Sequence, residues 1–281
     1  MPPARTSATR RLRRPKPHPN LARIPEIIAR LDDAYGLPEW RPHHDAISEL
    51  VLTILSQNTS DANSGRAFVR LTEAFPAWDD VASAPLGVLI AAIQPGGLAP
   101  TKAPRIQGAL RDIKERTGGY DLQFLAGLPL EEARAWLRSI HGVGPKTAAC
   151  VLMFALGLPA MPVDTHVFRV ATRLALIPER AGRARMTPEK AHALLEAQVP
   201  PQDFYAFHIA LIKHGRRVCT AQRPRCPECV LRDLCPAAAV FHPELAGRTA
   251  RLGGDRRPLQ AGGMVGTSPR KTPSQAPPTG V

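Results

Sequence analysis

The 281-residue sequence predicts an all-α fold. Three observations carry that expectation. Apolar residues recur at three- and four-residue spacing in one segment after another; no useful length of chain alternates with period two; and Gly, Pro, Ser, Thr and Asp fall where helices start and stop.

From Leu21 onward, Ile24, Ile27, Ile28 and Leu31 mark a first helix, ended near Gly36 and Pro38. Ile47, Leu50, Val51 and Ile54 mark a second, which runs into the polar stretch Ser56-Gln57-Asn58-Thr59-Ser60-Asp61. Ser60 or Asp61 can cap a third helix carrying Ala67, Phe68, Leu71 and Phe75. A short helix over 88–93 meets a loop, 94–101, in which Leu98 is one apolar residue among helix breakers. Helices over 103–115 and 130–140 follow. After Asp164, helices are expected over 165–176, 188–198 and 202–214, the second opened by Thr187 and Pro188.

The stretch from Leu130 to Asp164 organises the rest. Leu130, Ala133, Leu137 and Ile140 form one helical stripe, and Thr147 to Leu156 is apolar on nearly every side. Between them, Gly142-Val143-Gly144 makes a tight turn at a helix start, where bare backbone amides can approach an anion. Lys146 stands in the first turn of the second helix, where the helix dipole is expected to lower its pKa. Asp164 precedes Thr165, Val167, Val170 and Ala171 and reads as an N-cap. An amine nucleophile and a carboxylate, each at a helix start, form a plausible catalytic pair.

Charge does not argue for nucleic acid as simply as its total suggests. The net charge is +13, but residues 1–23 hold seven Lys/Arg and no acid, and residues 248–281 hold six Lys/Arg and one Asp. The segment between them is nearly neutral. Basic tails of that kind add salt-dependent affinity for a polyanion. Within 24–247 the basic clustering occurs once, in Lys213, Arg216, Arg217, Arg223, Arg225 and Arg232. Five prolines in the first twenty residues argue against an amphipathic targeting helix, so residues 1–19 and the Gly/Pro/Ser-rich C-terminal end are expected to be disordered. No apolar run is long enough to span a bilayer as a helix.

Cys219, Cys226, Cys229 and Cys235 lie within seventeen residues, spaced C-x6-C-x2-C-x5-C. Clustering of this kind points to a metal centre in a reducing compartment rather than to scattered disulfides. Four thiolates suit a cubane iron-sulfur cluster. Structural zinc also accepts four, usually from two C-x2-C knuckles, and only one is present. Cys150, inside the apolar helix, reads as packing.

The segment Ile140-His141-Gly142-Val143-Gly144-Pro145-Lys146-Thr147, with Val163-Asp164-Thr165-His166-Val167 and the cysteine spacing, resembles the endonuclease III family of helix-hairpin-helix DNA glycosylases. The resemblance covers roughly residues 21–240. It implies a six-helix barrel domain over 38–158 and a [4Fe-4S] cluster domain from 20–37 plus 159–243, with a DNA-binding cleft between them. The tails would be 1–19 and 244–281.

The resemblance makes Lys146 the nucleophile and Asp164 the catalytic carboxylate, with the four cysteines as cluster ligands. It places Asn58, Leu98, His141, Gly142, Val143 and Gly144 against DNA, Asn58 filling the gap left by a flipped nucleotide and Leu98 acting as a wedge. Here Asn58 stands for the family's usual Gln, Ala99 for a larger residue, and His141 and Pro145 for Pro and Arg. These departures fall at the DNA face. The implied activity is a bifunctional DNA glycosylase/AP lyase on damaged, oxidised-pyrimidine duplex DNA, acting as a cytoplasmic, nucleoid-associated monomer. The alternatives are a mismatch-specific glycosylase of the same fold and a non-catalytic DNA-binding scaffold.

Overall fold

The structure, a computed structural model, describes residues 23–181 and 184–248. Its first helix, α1 (Ile24–Tyr35), carries a proline in its first turn and ends at Gly36, φ 60°. The next, α2 (Ala46–Leu55), starts where the Asp45 carboxylate accepts the amides of Ile47 and Ser48, an N-cap of the kind worth about 1 kcal/mol. Ser60 caps α3 (Asp61–Ala74), accepting from the Asn63 amide. Then come α4 (Trp78–Ser83), α5 (Leu86–Ile93) and the long α6 (Ala99–Thr117), which Gly118 terminates at φ 75°. At six residues, α4 is too short to show periodicity, and the sequence does not announce it.

The hairpin pairs α7 (Leu130–Ser139) with α8 (Pro145–Cys150), and α8 continues as a π-helical turn, Val151–Ala155. Wide turns of this type collect at functional sites. The remainder holds α9 (Thr165–Arg173), α10 (Pro188–Glu196), α11 (Phe204–Arg217) and the short α12 (Ala238–Phe241).

The fold is all-α, with two corrections to the sequence reading. A short antiparallel pair, β1 (Arg180–Ala181) and β2 (Ala184–Arg185), registers Arg180 with Arg185 where no sheet was expected. Strands of two residues leave no alternation to read. Pro243–Arg248 forms a 3-10 turn, so ordered chain continues past the expected boundary at residue 244. The expected disorder over 1–19, and beyond Arg248, lies outside the described residues. No helix among them is long and apolar enough to cross a membrane.

Two apolar clusters form the interior. The first gathers α2 to α8 around Leu50, Ile54, Leu71, Leu89, Ile106 and Leu137. The second gathers α1, α9, α10 and α11 with the cysteine loop around Ile27, Leu31, Val167, Leu195, Phe207 and Leu211. Each such side chain, fully buried, contributes about 1.5–3 kcal/mol before the cost of ordering it. The segment through α8 feeds both: Ala149, Val151 and Leu152 enter the first, Cys150, Met153 and Phe154 the second. Lys146 stands at the start of that shared segment.

Candidate active site

A cleft opens between the two clusters. Its floor is made by Glu49 and Thr53 of α2, Lys146 and Cys150 of α8, Asp164 at the start of α9 and His208 of α11. His43, His44, Asp61 and Arg216 line its walls.

Asp164 reaches the cleft because the chain before it is pinned. The Met161 amide donates to Glu196 Oε1 at 2.8 Å, His192 Nδ1 lies 3.1 Å from the Met161 carbonyl, and His208 Nδ1 lies 2.8 Å from that of Pro162. Burial pushes His208 down to about 4, so its ring is neutral near pH 7 and Nδ1 is the donor to Pro162. Asp164 then caps α9, Oδ1 accepting the Val167 amide at 2.7 Å. That cap agrees with the sequence reading, and the positive helix end suits a fixed carboxylate.

Lys146 corrects it. The structure places the lysine in the first turn of α8, as expected, yet holds its ammonium above its ordinary pKa. Cys150 contributes most, with Asp164 and Glu49 adding to it, and together they outweigh the opposing effect of burial. A nucleophile held as an ammonium ion needs a proton acceptor.

Three loops converge beside the hairpin. Lys102, only 2 % exposed, donates to the carbonyls of Leu55 at 2.6 Å and Gly96 at 2.9 Å, tying the end of α2 to the Leu98 loop. Arg105 donates to Gln57 Oε1 at 3.3 Å and packs under Gly142. Gly142 sits at φ 85°, and a Cβ there would meet Arg105 at an ordinary 3.6 Å, so backbone conformation rather than space requires the glycine.

Asn58 and Leu98 are exposed non-glycine residues at φ 53° and φ 52°. Conformations that cost side-chain-bearing residues about 1–3 kcal/mol cluster at functional sites. His141, Gly142 and Gly144 are exposed. Val143 is different: its side chain is buried in the first cluster, so only its backbone is free to meet a partner.

At the other end of α9, Arg173 donates to Cys219 Sγ at 3.2 Å and to the carbonyls of Thr220 and Ala221 at 2.7 Å. Cys219, Cys226, Cys229 and Cys235 line one largely apolar cavity. Burial pushes the Cys229 thiol up to about 11 and Cys235 to about 12, so thiolates at these two positions need a neighbouring positive charge. The donor set, four sulfurs with N–H groups of Arg173 and Leu231 aimed at two of them, fits an iron-sulfur cluster.

The basic cluster is partly spoken for: Arg216 pairs with Asp61 at 2.7 Å across the cleft mouth, and Arg225 with Glu228 at 3.4 Å. Sequence reading did not single out Glu49, Lys102 or His208. The visible signal for Glu49 was one acid in an otherwise apolar helix, AISELVLTIL.

Residues 51–201 match the HhH-GPD superfamily base excision DNA repair protein family, and residues 219–235 match the iron-sulfur binding domain of endonuclease III. A putative DNA glycosylase of Arabidopsis thaliana is 38% identical over 195 residues, 69% of this chain, and the alignment spans 62% of that longer protein. Endonuclease III of Treponema pallidum is 38% identical over 219 residues, covering 74% of this chain and 92% of that one. A solved trapped endonuclease III–DNA covalent intermediate superposes with a TM-score of 0.65 at 28% identity, over 76% of this chain and 95% of that one. With its hairpin and its cysteine loop in the matched segments, the chain belongs to the endonuclease III family of base excision repair DNA glycosylases, and carries that family's iron-sulfur domain.

Proposed function

We propose that the cleft excises a damaged base, an oxidised pyrimidine, from duplex DNA through a Schiff base on Lys146 and then cuts the strand by β-elimination. The observation that carries this reading is the meeting of Lys146 and Asp164 in one cleft, from two separate helix starts.

A sugar carbon inside a duplex is out of reach, so the target nucleotide is extruded into the cleft. Leu98 enters the stack as the wedge and Asn58 fills the gap, their strained, exposed backbones already presenting them. Amides of the His141–Gly144 turn hold a phosphate and set position without reading sequence. Lys146 Nζ attacks C1′, the C1′–N bond breaks, and the base departs with the bonding pair. Asp164 keeps negative charge beside the developing oxocarbenium ion. The amine nitrogen then loses a proton and its electron pair opens the sugar ring at C1′–O4′, O4′ taking up a proton, which leaves an imine on Lys146. That imine acidifies the C2′ proton, and loss of that proton expels the 3′ phosphate.

Cys219, Cys226, Cys229 and Cys235 would hold the [4Fe-4S] cluster, which braces their loop when bound. The chain acts as a monomer in the cytoplasm, its 38–158 and 20–37 plus 159–243 segments forming the two walls.

Borohydride should trap the wild-type protein on a duplex carrying thymine glycol or an abasic site. Lys146→Ala should bind that duplex and give no trapped species, and Asp164→Asn should slow excision by about 10²-fold or more. Equal trapping by Lys146→Ala refutes the assignment.

A further inference from the structure

Glu49 is a buried carboxylate, 5 % exposed, on an apolar helix, and burying such a group costs several kcal/mol unless it is paired or put to use. Its hydrogen bond among the described residues is a long one: Thr53, a turn further along α2, donates to Oε1 at 3.2 Å. Helix α2 packs on α8, and Glu49 and Thr53 line the same cleft as Lys146 and Cys150, which are also one turn apart. From other elements, Asp164, His208, His43 and His44 face the same space. Asp61, Lys213 and Arg216 stand further out along its rim.

We propose that Glu49 is a catalytic residue: it accepts the proton that Lys146 must lose and returns it to the departing base. The inference rests on the lysine Schiff-base reading above. Its proton balance closes. The Lys146 ammonium passes H⁺ to the Glu49 carboxylate, leaving neutral amine and neutral acid; the amine forms the bond to C1′, the C1′–N bond breaks, and the acid proton moves to the base nitrogen that takes the electron pair. Glu49 ends as it began.

Division of labour between the two carboxylates follows from their surroundings. Asp164 is committed as an acceptor to the Val167 amide at the start of α9. Glu49 is pushed up to about 7, chiefly by burial, with Thr53 and Lys146 opposing. Such a group takes or gives a proton at little cost near neutral pH. His208, pushed down to about 4 and donating to Pro162, is not in a state to do so.

The test is single-turnover kinetics of the full-length protein on thymine glycol duplex, with borohydride trapping in parallel. Because a carboxylate accepts protons only above its pKa, the wild-type excision rate should rise as pH increases through about 7. Glu49→Gln, which keeps the acceptor for Thr53, should bind the duplex normally, excise about 10²-fold more slowly, and lose that rise. Glu49→Asp should recover the rise.

A Glu49→Gln enzyme with the wild-type rate, or a slow one that keeps the wild-type pH profile, overturns the proposal. So does a loss of duplex affinity as large as the loss of rate, and so does a Glu49→Asp profile without the rise. Failure of the wild-type protein itself to be trapped would sink the lysine reading instead.

Discussion

Leu98 shows what a single residue can be asked to give up. It holds φ 52°, leaves 54 % of its surface in solvent, and follows Gly97 at φ 67°. An apolar side chain neither buried nor relaxed is being held for something else. Replacing it with glycine removes the conformational penalty and the wedge together. Leu98→Gly should therefore raise stability by about 1 kcal/mol, read by chemical denaturation, while slowing excision. A variant that is less stable, or fully active, would contradict the wedge.

At this scale the sequence was informative in an uneven way. The four cysteines announce themselves by their x6-x2-x5 spacing, whereas Lys146 and Asp164 stand out through the hairpin motif they share with the family. Whether Leu98 tucked inward could not be read, since its backbone angle depends on Lys102 gripping Leu55 and Gly96. The direction of the Lys146 shift was missed because Glu49 and Asp164 meet it only once α2 and the start of α9 pack beside α8, and because Cys150, one turn along, read only as packing.

Among elements, α10 has the most leverage for its length. Arg134 of α7 grips both oxygens of Glu196, at 2.8 and 3.0 Å, and Glu196 also takes the Met161 amide three residues before Asp164. Both side chains of this pair are largely buried. Glu196→Ala leaves the Met161 amide without its acceptor and the Arg134 guanidinium with only the exposed Glu131 at 3.4 Å, and should cost about 2–4 kcal/mol. Excision should fall further than stability predicts, since the Asp164 approach is loosened as well; denaturation and single-turnover rates measured side by side separate the two.

Helix α9 carries a second connection. Its nine residues, about 13 Å long, have Asp164 at one end and Arg173, gripping the cysteine loop, at the other. Helix positions themselves were largely legible from periodicity and caps. These cross-links were not, because ion pairs between distant segments leave no periodic trace.

For the whole molecule, charge and interior tell different stories. Nearly all of the +13 lies in the terminal segments, whereas the described basic residues around the cleft are partly neutralised, Arg216 by Asp61 for one. Deleting residues 1–19 and 249–281 should flatten the salt dependence of duplex binding, the slope of log K against log salt becoming less steep by several units. The set of lesions cut should stay the same. An altered lesion preference would show that the tails do more than attract the polyanion.

The segment Ala149–Ala155 divides its side chains between the two apolar clusters, Ala149, Val151, Leu152 and Ala155 entering one and Cys150, Met153 and Phe154 the other. A seam of this kind ties the two interiors to one another, so a cavity opened in it, unlike one in a peripheral helix, should loosen both at once.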